Sequence, residues 1–397
     1  MNQRELALDI LYKTIKNESY SNLLMRQELS KVPPIQRAFI TNLVNGVLRK
    51  YELLEYQIQD EINNNTSFRL KLVLMMALFE RFYLNEENYV VNNEYAELGK
   101  NKFDKGFINA ILHKITKLKE TDKEYINACL PEWLYNLLKK QYDKHDLEKI
   151  INVYQTIPSV YYRLNKNKCS YEDLSSLNIN ILNDDIFTSN INLINTSLYA
   201  SGYFYIQDYN SSSLYKHLDL NSNNTLLDIC SAPGSKLFNC LDIVSANNAY
   251  ANDIHEHRVE LIKKMADKLG YKGINYLNYD GLVLKDKLNI KFDRIMLDAP
   301  CSGIGVISRK PDLKFHIKPD SLDELEKLQL SLLINNSELL NKDGILLYST
   351  CTLNKKENTK LIDKFLKDRN DFIKMEEDTI INEMGDCFYY AKIKRVK

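Results

Sequence analysis

The sequence predicts a multidomain chain with an all-α first part, a small α+β insert and a C-terminal α/β part. Apolar residues recur at helical spacing in residues 1–140, shorter mixed segments follow in residues 141–220, and strands alternate with helices in residues 221–397. Alternation of this kind is typical of a doubly wound parallel sheet with crossover helices. The length of 397 residues suits two or three domains.

Composition excludes several classes of protein. The 53 basic and 53 acidic residues cancel, which argues against a uniformly basic nucleic-acid binder. Seven cysteines are scattered without a CxxC pair, so they indicate neither a disulfide framework nor a zinc site. No apolar run approaches the roughly 20 residues of a membrane span, and the N-terminus lacks the apolar core of a signal peptide. We therefore expect a cytoplasmic protein with no membrane segment and no metal.

The first part reads as a series of amphipathic helices. Leu6 and Ile10 begin an apolar stripe with helical spacing, and Pro34 suits the first turn of a later helix. Residues 69–84 are apolar nearly all round, which predicts a central helix of a bundle. Another helix is predicted to begin with residues 106–112, and Pro131 is predicted to open the next.

The middle part contains short segments of both kinds. Residues 160–165 alternate like a strand, residues 171–177 resemble a short helix, and residues 202–208 form a strand pattern with a polar end. Composition alone predicts a small linking domain here.

The last part alternates strands and helices. The predicted strands are 225–230, 249–253, 274–278, 294–298 and 344–351, and the predicted helices begin at Lys236, cover 259–269 and 321–340, and begin again at Lys355. In open sheets of this kind, ligands bind outside the carboxyl ends of the strands. Side chains just past each strand are therefore the first candidates for a site.

Two cysteines and a carboxylate stand at such strand ends. Asp298 and Cys301 follow one apolar strand, which Pro300 terminates because proline cannot donate to a central ladder. Cys351 ends the next strand in the same way. A lone cysteine is more often a small buried hydrophobe than a catalytic group, but the three side chains are predicted to converge on one pocket.

The crossover after the first strand of this part is a candidate cofactor loop. Its small residues between strand and helix let backbone N–H groups approach a ligand; they are Cys230, Ser231, Ala232, Pro233, Gly234, Ser235 and Lys236. Asp253 and Asp280 end the next two strands, where carboxylates suit ribose hydroxyls and an adenine amino group. This many carboxylates would repel a phosphate but not a sulfonium, which favours S-adenosylmethionine over NAD.

These motifs together resemble those of the RNA 5-methylcytosine methyltransferases of the NOL/NOP/Sun family. The match is most specific at residues 228–236, 298–305 and 349–352. The resemblance implies a NusB-like RNA-binding domain at 1–140, an RRM-like subdomain at 141–220 and a Rossmann-like methyltransferase domain at 221–397. It also implies that residues 230–236, Asp253, Asp280 and Asp298 contact S-adenosylmethionine.

The chain departs from the family pattern at three positions. Ser231 and Ser235 interrupt the family's loop Cys-Ala-Ala-Pro-Gly-Gly-Lys, and His113 stands where an arginine is usual. Ser235 replaces a glycine, so a left-handed backbone at that position would strain the loop.

Methylation at C5 of cytosine requires a nucleophile because C5 alone attacks a methyl donor too weakly. A thiolate that adds to C6 turns C5 into an enamine carbon, an acid or hydrogen bond at N3 absorbs charge, and the thiol must later leave. Cys351, Cys301 and Asp298 are the candidates for these roles. An amino-group methyltransferase would instead show Asn/Asp-Pro-Pro-Tyr/Phe at residues 298–301, which this chain lacks.

Spacing does not decide which cysteine attacks. DNA cytosine methyltransferases use the cysteine of Pro-Cys, which corresponds to Cys301, whereas the RNA family uses the cysteine of Thr-Cys and assigns product release to the other. Because the flanking residues match the RNA family, the resemblance implies attack by Cys351, release assisted by Cys301 and an N3 contact by Asp298. Lys236 is interpreted either as a group that orients Asp298 or the target base, or as a solvent-facing lysine of the first helical turn.

The sequence thus predicts a 16S rRNA cytosine-C5 methyltransferase. A target base must leave its helix to reach a thiol, so we expect a cytosine in a loop or single strand as substrate and a monomeric enzyme. Two alternatives stay open: the same chemistry on tRNA or another rRNA site, and a non-catalytic RNA-binding assembly factor. The basic cluster of Arg309, Lys310, Lys314 and Lys318 is interpreted as a solvated face or an RNA contact.

Overall fold

The computed structural model describes residues 2–17, 19–367 and 369–397. Met1, Glu18 and Asp368, which fall within the predicted helical and methyltransferase domains, lie outside the described residues. The chain divides into a helical unit, Met1–Thr156 with Ile307–Lys318, and a sheet unit, Ile157–Val306 with Pro319–Lys397. Among the described helices, none combines the length and apolar character that crossing a membrane requires.

The α-helices are short to medium in length. In chain order they are α1 (Gln3–Lys16), α2 (Ser21–Leu29), α3 (Pro34–Arg49), α4 (Tyr51–Ile58), α5 (Phe68–Tyr83), α6 (Asn88–Ala96), α7 (Lys102–Lys114), α8 (Glu124–Asn127), α9 (Glu132–Gln141), α10 (Lys144–Gln155), α11 (Ser197–Ala200), α12 (Ser235–Cys240), α13 (Glu256–Leu269), α14 (Leu284–Lys287), α15 (Leu313–His316), α16 (Ser321–Ser337) and α17 (Thr359–Leu366).

The helical unit confirms the predicted helices of the first part. Ten consecutive residues of α5 are buried, as expected for the central helix of a bundle. Pro34 is the first residue of α3 and Pro131 is the N-cap of α9. The prediction for 106–112 began too late, because the Asn101 side chain accepts a hydrogen bond from the backbone of Asp104 and starts α7 at Lys102.

The strands form two sheets within the sheet unit. In chain order they are β1 (Tyr161–Leu164), β2 (Ile179–Ile181), β3 (Ile186–Ser189), β4 (Phe204–Ile206), β5 (Leu226–Asp228), β6 (Ala249–Asn252), β7 (Asn275–Leu277), β8 (Phe292–Asp298), β9 (Leu340–Thr350), β10 (Phe372–Ile380) and β11 (Phe388–Arg395). The order is β2-β3-β1-β4 in the small sheet and β10-β11-β9-β8-β5-β6-β7 in the large one.

The small sheet confirms two predicted strands and corrects one prediction. β1 and β4 lie within 160–165 and 202–208, and they pair antiparallel. The helix expected at 171–177 is only a short 3-10 turn, Glu172–Leu174, and the strands β2 and β3 that follow it were not predicted.

The large sheet is mixed, with helices on both faces. β9, β8, β5, β6 and β7 run parallel, as predicted for a doubly wound sheet. Alternate residues of each strand enter different cores: Leu226 packs with α12 and α13, whereas Leu227 packs with α16 and α17. This alternation gives a sheet buried on both sides.

The end of the chain departs from the prediction. β10 and β11 form an antiparallel hairpin that pairs with β9 through β11, and neither strand was predicted. The last helix begins at Thr359 rather than at Lys355, because residues 354–358 form a turn with hydrogen bonds of its own.

Residues 307–318 belong to the helical unit although their neighbours in sequence belong to the sheet unit. The buried Lys314 pairs with Glu52 of α4 and donates to the carbonyl of Cys129, and the Phe315 ring packs edge-on against Tyr51. Lys314 is 3 % exposed, so for this residue both interpretations of the basic cluster, a solvated face or an RNA contact, are wrong.

Candidate active site

The site lies where the order of the parallel strands reverses. β5 pairs with β6 on one side and with β8 on the other, so the loops after β5 and β8 leave neighbouring strands at the same edge of the sheet. Such a reversal opens a crevice at the carboxyl ends of an α/β sheet. The predicted cofactor loop and the residues after Asp298 both emerge there.

The two predicted strand-end cysteines are in contact. Cys301 Sγ lies 3.2 Å from Cys351 Sγ, and both residues are only partly buried. The contact follows from the parallel register of β8 and β9, in which Asp298 stands opposite Ser349. Each cysteine is two or three residues past that pair, so both loops turn over the same edge.

Contact with Cys351 and burial both act on the thiol of Cys301. The pKa of Cys301 is raised well above its ordinary value, first by its hydrogen bond with Cys351, then by burial and by the charge of Cys351. A thiol held in this way keeps its proton at neutral pH. A protonated Cys301 can donate a hydrogen bond to the sulfur of Cys351, 3.2 Å away.

Asp298 is held on both carboxylate oxygens. The Lys236 ammonium lies 2.5 Å from Oδ2, and the hydroxyl of Ser349 donates to Oδ1 at 2.9 Å. Lys236 belongs to the first turn of α12, Asp298 ends β8 and Ser349 lies in β9. Three elements of the fold therefore fix one carboxyl group beside the two cysteines.

Lys236 is a partner of Asp298 and not a solvent-facing lysine. Burial lowers the pKa of its ammonium, but the charge and hydrogen bond of Asp298, with Cys351 and Asp228, outweigh that effect and raise it. The ammonium also lies 5.3 Å from the ring centroid of Phe388. Lys236 thus remains charged throughout the physiological range.

The predicted cofactor loop is built around Gly234. Its φ of 102° lies in the left-handed region, and a Cβ at this position would come within 2.8 Å of the Phe238 ring. Ser235 instead begins α12 with ordinary helical backbone, so the strain expected from a left-handed serine does not arise. The glycine that the family pattern has at Ser235 is not needed for conformation here.

Asp253 stands at the end of β6 and is connected to the cofactor loop through an arginine. Arg258 lies 3.4 Å from the Asp253 carboxylate and donates to the carbonyl of Ala232 at 3.0 Å. Asp253 is 1 % exposed. The side chain of Asn252 donates to the carbonyl of Ile229 and so fixes β6 beside the same loop.

Asp280 is the third predicted carboxylate of this edge. Its side chain accepts from the backbone N–H of Leu282 and caps the turn Gly281–Val283. The preceding residue, Tyr279, donates its N–H to the Asn252 side chain, which places the ends of β6 and β7 together.

The carboxyl groups of this crevice suit the polar groups of an adenosyl cofactor. Burial raises the pKa of Asp228 to about 7, and the nearby charges of Asp298 and Asp253 act in the same direction. Burial and these same three carboxylates raise the pKa of the Cys230 thiol. Lys236 pairs with Asp298 and Arg258 pairs with Asp253. Because carboxyl oxygens at the strand ends can accept hydrogen bonds from ribose hydroxyls and an amino group, the residues present fit S-adenosylmethionine.

Comparison with known proteins gives the family. A profile described as "16S rRNA methyltransferase RsmB/F" matches residues 215–394, and the NusB family profile matches residues 1–117. The probable ribosomal RNA small subunit methyltransferase B of Bacillus subtilis (strain 168) is 31 % identical over 93 % of this chain and 89 % of its own length. The chain belongs to the RsmB/F family of 16S rRNA methyltransferases. It is an rRNA methyltransferase that depends on S-adenosylmethionine, which confirms the family resemblance and the cofactor predicted from the sequence.

A further relative and two solved structures are similar to most or nearly all of the chain. The ribosomal RNA small subunit methyltransferase B of Enterobacter sp. (strain 638) is 26 % identical, covering 99 % of this chain and 98 % of the relative. Among solved structures, PH0851 aligns with a TM-score of 0.78 at 19 % identity over 98 % of this chain and 97 % of its own. NSun6 from Pyrococcus horikoshii aligns with a TM-score of 0.60 at 17 % identity over 67 % and 98 %. These structures show the same fold.

Several residues around the RsmB/F site were missed from the sequence. Arg258 and Ser349 touch predicted site residues, and Glu357 accepts hydrogen bonds from the loop that carries Cys301. Of these three residues, only Ser349 had a usable signal, because it lies two residues before Cys351 near the end of the same predicted strand, 344–351. Arg258 lies in α13 and Glu357 in the turn before α17. Charged residues in such elements are usually at the surface, so neither could be assigned to the site from the sequence.

Proposed function

We propose that the protein methylates C5 of a cytosine in 16S rRNA through a covalent bond between Cys351 and C6. The observation that carries this proposal is the 3.2 Å contact between the Cys301 and Cys351 sulfurs at the strand edge where Asp298 ends β8. An enzyme that methylates a nitrogen or oxygen has no need of two thiols at this point. Two adjacent, partly buried thiols supply one group to attack the pyrimidine and a second to assist release.

Each side chain then has a defined task. The Cys351 thiolate forms a bond to C6, electron density moves onto C5 and N3, and the Lys236–Asp298 pair supplies a proton to N3. S-adenosylmethionine, when bound, supplies the methyl group. The C5 proton passes to water, the C5–C6 double bond re-forms, N3 returns its proton, and Cys351 departs as a thiolate.

Cys301 assists the last of these steps. Its raised pKa keeps the proton on sulfur, so its S–H donates toward Cys351. A donated hydrogen bond stabilises the departing thiolate and speeds its release, since a better stabilised thiolate is a better leaving group. The match of residues 349–352 to the Thr-Cys motif of the RNA family supports Cys351, rather than Cys301, as the nucleophile.

The substrate follows from the reach of the thiol. Base-paired cytosine hides C6 within the stack, so the target is a cytosine in a loop, a single strand or an everted position. We propose 16S rRNA as the substrate, with the NusB-like domain within 1–140 and the RRM-like subdomain at 141–220 binding RNA for the methyltransferase domain at 221–397. We propose that this enzyme works in the cytoplasm as a monomer.

The decisive experiment traps the covalent bond. RNA transcribed with 5-fluorocytidine lacks the removable C5 proton, so the enzyme and methyl donor should form an adduct that survives denaturing electrophoresis. Wild type should form it, and Cys351→Ala should not. Cys301→Ala should accumulate adduct even on ordinary RNA because release is slowed.

Three results would contradict the proposal. Absence of any adduct and of 5-methylcytosine with wild-type protein would favour the non-catalytic assembly factor. An adduct that persists in Cys351→Ala and disappears in Cys301→Ala would exchange the roles of the two cysteines. Methylation of tRNA in preference to 16S rRNA, measured with both RNAs in one reaction, would retain the chemistry and change the substrate.

A further inference from the structure

Glu357 is a buried carboxylate that none of the chemical steps above uses. It is 0 % exposed, and it lies six residues after Cys351, outside the strands and helices of the sheet unit. Burying a carboxylate without partners is costly. The hydrogen-bond partners of Glu357 therefore indicate its role.

The donors to this carboxylate come from three separate segments. The Cys301 loop is the segment 299–303 that follows β8. From this loop, Ser302 donates its N–H to Oε2 at 2.9 Å and its hydroxyl to Oε1 at 2.6 Å. From the Cys351 loop, the side chain of Asn354 donates to Oε1 at 3.1 Å. From α16, the side chain of Gln329 donates to Oε2 at 2.9 Å.

The same groups also bind each other. Gln329 uses its side-chain amide to donate to the carbonyl of Pro300 at 2.9 Å, immediately before Cys301. The hydroxyls of Ser302 and Thr352 lie 2.7 Å apart, so the residues that follow the two cysteines are in direct contact. Glu357 thus lies at the centre of a network that joins both cysteine loops.

The backbone around the cysteines is fixed close to this network. Gly305 donates its N–H to the carbonyl of Cys351 at 3.0 Å and accepts from the N–H of Cys387 at 3.0 Å. These bonds anchor the far end of the Cys301 loop, whereas Ser302 anchors its beginning through Glu357. The contact between the two sulfurs therefore depends on a loop held at both ends.

We propose that Glu357 is a positioning residue that holds the Cys301 and Cys351 loops in the register that brings their sulfurs to 3.2 Å. It touches neither sulfur and acts through Ser302, Asn354 and Gln329. The catalytic consequence rests on the proposed function, because it concerns the release step that Cys301 assists. The geometric consequence does not, because the distance between the sulfurs is measurable without RNA.

The geometric test measures how fast a thiol oxidant joins Cys301 and Cys351 in a disulfide, because this rate depends on the distance between the two sulfurs. Diamide takes two electrons and two protons from a pair of thiols, which become a disulfide while its N=N bond is reduced to a hydrazine. The wild-type protein should form the Cys301–Cys351 disulfide rapidly, detected by peptide mass mapping after alkylation. Glu357→Ala should form it at least about tenfold more slowly, since a thiol displaced by about 1 Å loses most of its orientation advantage.

The catalytic test measures methyl transfer under saturating donor. Glu357→Ala should lower kcat by about 100-fold, the effect of a displacement of about 1 Å. It should leave KM for S-adenosylmethionine unchanged because its partners Ser302, Asn354 and Gln329 lie outside the 230–236 loop. Glu357→Gln retains one acceptor oxygen and should fall between wild type and alanine. If Glu357→Ala does not fold, Ser302→Ala removes the hydroxyl contacts with Glu357 and Thr352 but keeps the N–H bond, and should slow both reactions by a smaller factor.

Glu377→Gln is the matched control. Glu377 accepts from the Tyr389 hydroxyl between β10 and β11 and pairs with Lys374, so its replacement disturbs the same unit without touching either cysteine loop. It should leave the disulfide rate and kcat at wild-type values. A folded Glu357→Ala with the wild-type disulfide rate would overturn the positioning role, whereas a wild-type protein that forms the disulfide but no 5-methylcytosine would refute only the proposed function.

Discussion

Lys236 and Asp298 form an ion pair with 2.5 Å between Nζ and Oδ2, and this pair joins the first turn of α12 to the end of β8. The two residues come from the predicted cofactor loop and the predicted catalytic strand end. Their contact shows that these motifs share one crevice. It also gives Asp298 a fixed charged neighbour, with Ser349 on its other oxygen.

Lys236→Met should impair methyl transfer strongly. The substitution keeps the length of the side chain but removes the charge beside Asp298, so proton supply to N3 fails. We expect kcat to fall by about 100-fold, within the range of a positioned acid or base. Ser349→Ala, which removes a single hydrogen bond to the Asp298 carboxylate worth about 1.5 kcal/mol, should cost only about tenfold. Single-turnover methylation with saturating donor measures both, and a Lys236→Met enzyme with the wild-type rate would remove Lys236 from the reaction.

Asp228→Asn should change how stability depends on pH. The folded-state pKa of about 7 lies above the unfolded value, so the folded protein holds one more proton than the unfolded chain between these values. Wild-type stability therefore falls as pH rises from about 4 to about 7, by about 1.4 kcal/mol per pH unit from this group. Asp228→Asn has no titrating group at this position and does not lose stability in this way. Its free energy of unfolding in urea should therefore rise relative to that of wild type over the same pH range.

Asp293→Asn is a control in which the pH dependence of stability, relative to wild type, should have the opposite sign. Burial raises the pKa of Asp293, but hydrogen bonds from Thr225 and Asn341 outweigh it and lower the pKa below its ordinary value. Its stabilising effect is present above the unfolded pKa and is lost as pH falls through the folded value. Asp293→Asn should therefore lose stability relative to wild type as pH rises through the acid range. If the stability of both variants relative to wild type changed in the same direction with pH, the raised pKa of Asp228 and the lowered pKa of Asp293 would both be contradicted.

Gly305→Ala should displace the loop that carries Cys301. A Cβ at this position would lie 2.3 Å from the carbonyl oxygen of Cys387 and 2.8 Å from that of Cys351, and backbone oxygens cannot move aside cheaply. We expect destabilisation of about 1–3 kcal/mol, as for other overpacked sites, and slower methyl transfer. Chemical denaturation measures the first effect and single-turnover kinetics the second.

Gly106→Ala is the matched substitution for comparison. Gly106 lies in α7, and an added Cβ there meets no atom within 4 Å. Because alanine favours a helix over glycine by about 1 kcal/mol, this change should stabilise the protein slightly. If the two glycine variants behave alike, close packing does not explain the glycine at 305.

Lys314→Met should destabilise the helical unit. The change leaves Glu52 buried without its cation, although burial already raises the pKa of this carboxyl group. Breaking one partner of a buried pair costs about 3–5 kcal/mol. Adding Glu52→Gln should restore part of the loss, with a coupling of about 0.5–3 kcal/mol in urea unfolding. If the losses in the two single variants add up to the loss in the double variant, the interaction between Lys314 and Glu52 does not stabilise the protein.

The strand ends were predictable because their signals are local. The residues 294–298 and 344–351 are apolar runs cut off by Pro300 and by a polar turn, and parallel strands deliver their carboxyl ends to one edge whatever the rest of the chain does. Cys301, Cys351, Asp298 and the cofactor loop could therefore be found without coordinates. The family motifs added the assignment of roles.

The edge hairpin was missed for a physical reason. β10 carries charged residues on both faces and lies at the edge of the sheet, so its apolar periodicity is weak. What makes it a strand is its pairing with β11, which itself pairs with β9. Pairing of this kind depends on distant residues and leaves little trace in a short window of sequence.

The sequence by itself determined which chemical groups stand at the strand ends, because strand periodicity and terminating residues act over a few neighbours. Only the tertiary structure decided how they are held: Lys236 against Asp298, Glu357 across the two cysteine loops, and Lys314 buried in the helical unit. Each of these contacts joins residues from different elements of the fold. Their partners are selected by the packing of the whole chain, and no local pattern of charged residues distinguishes them from an exposed surface.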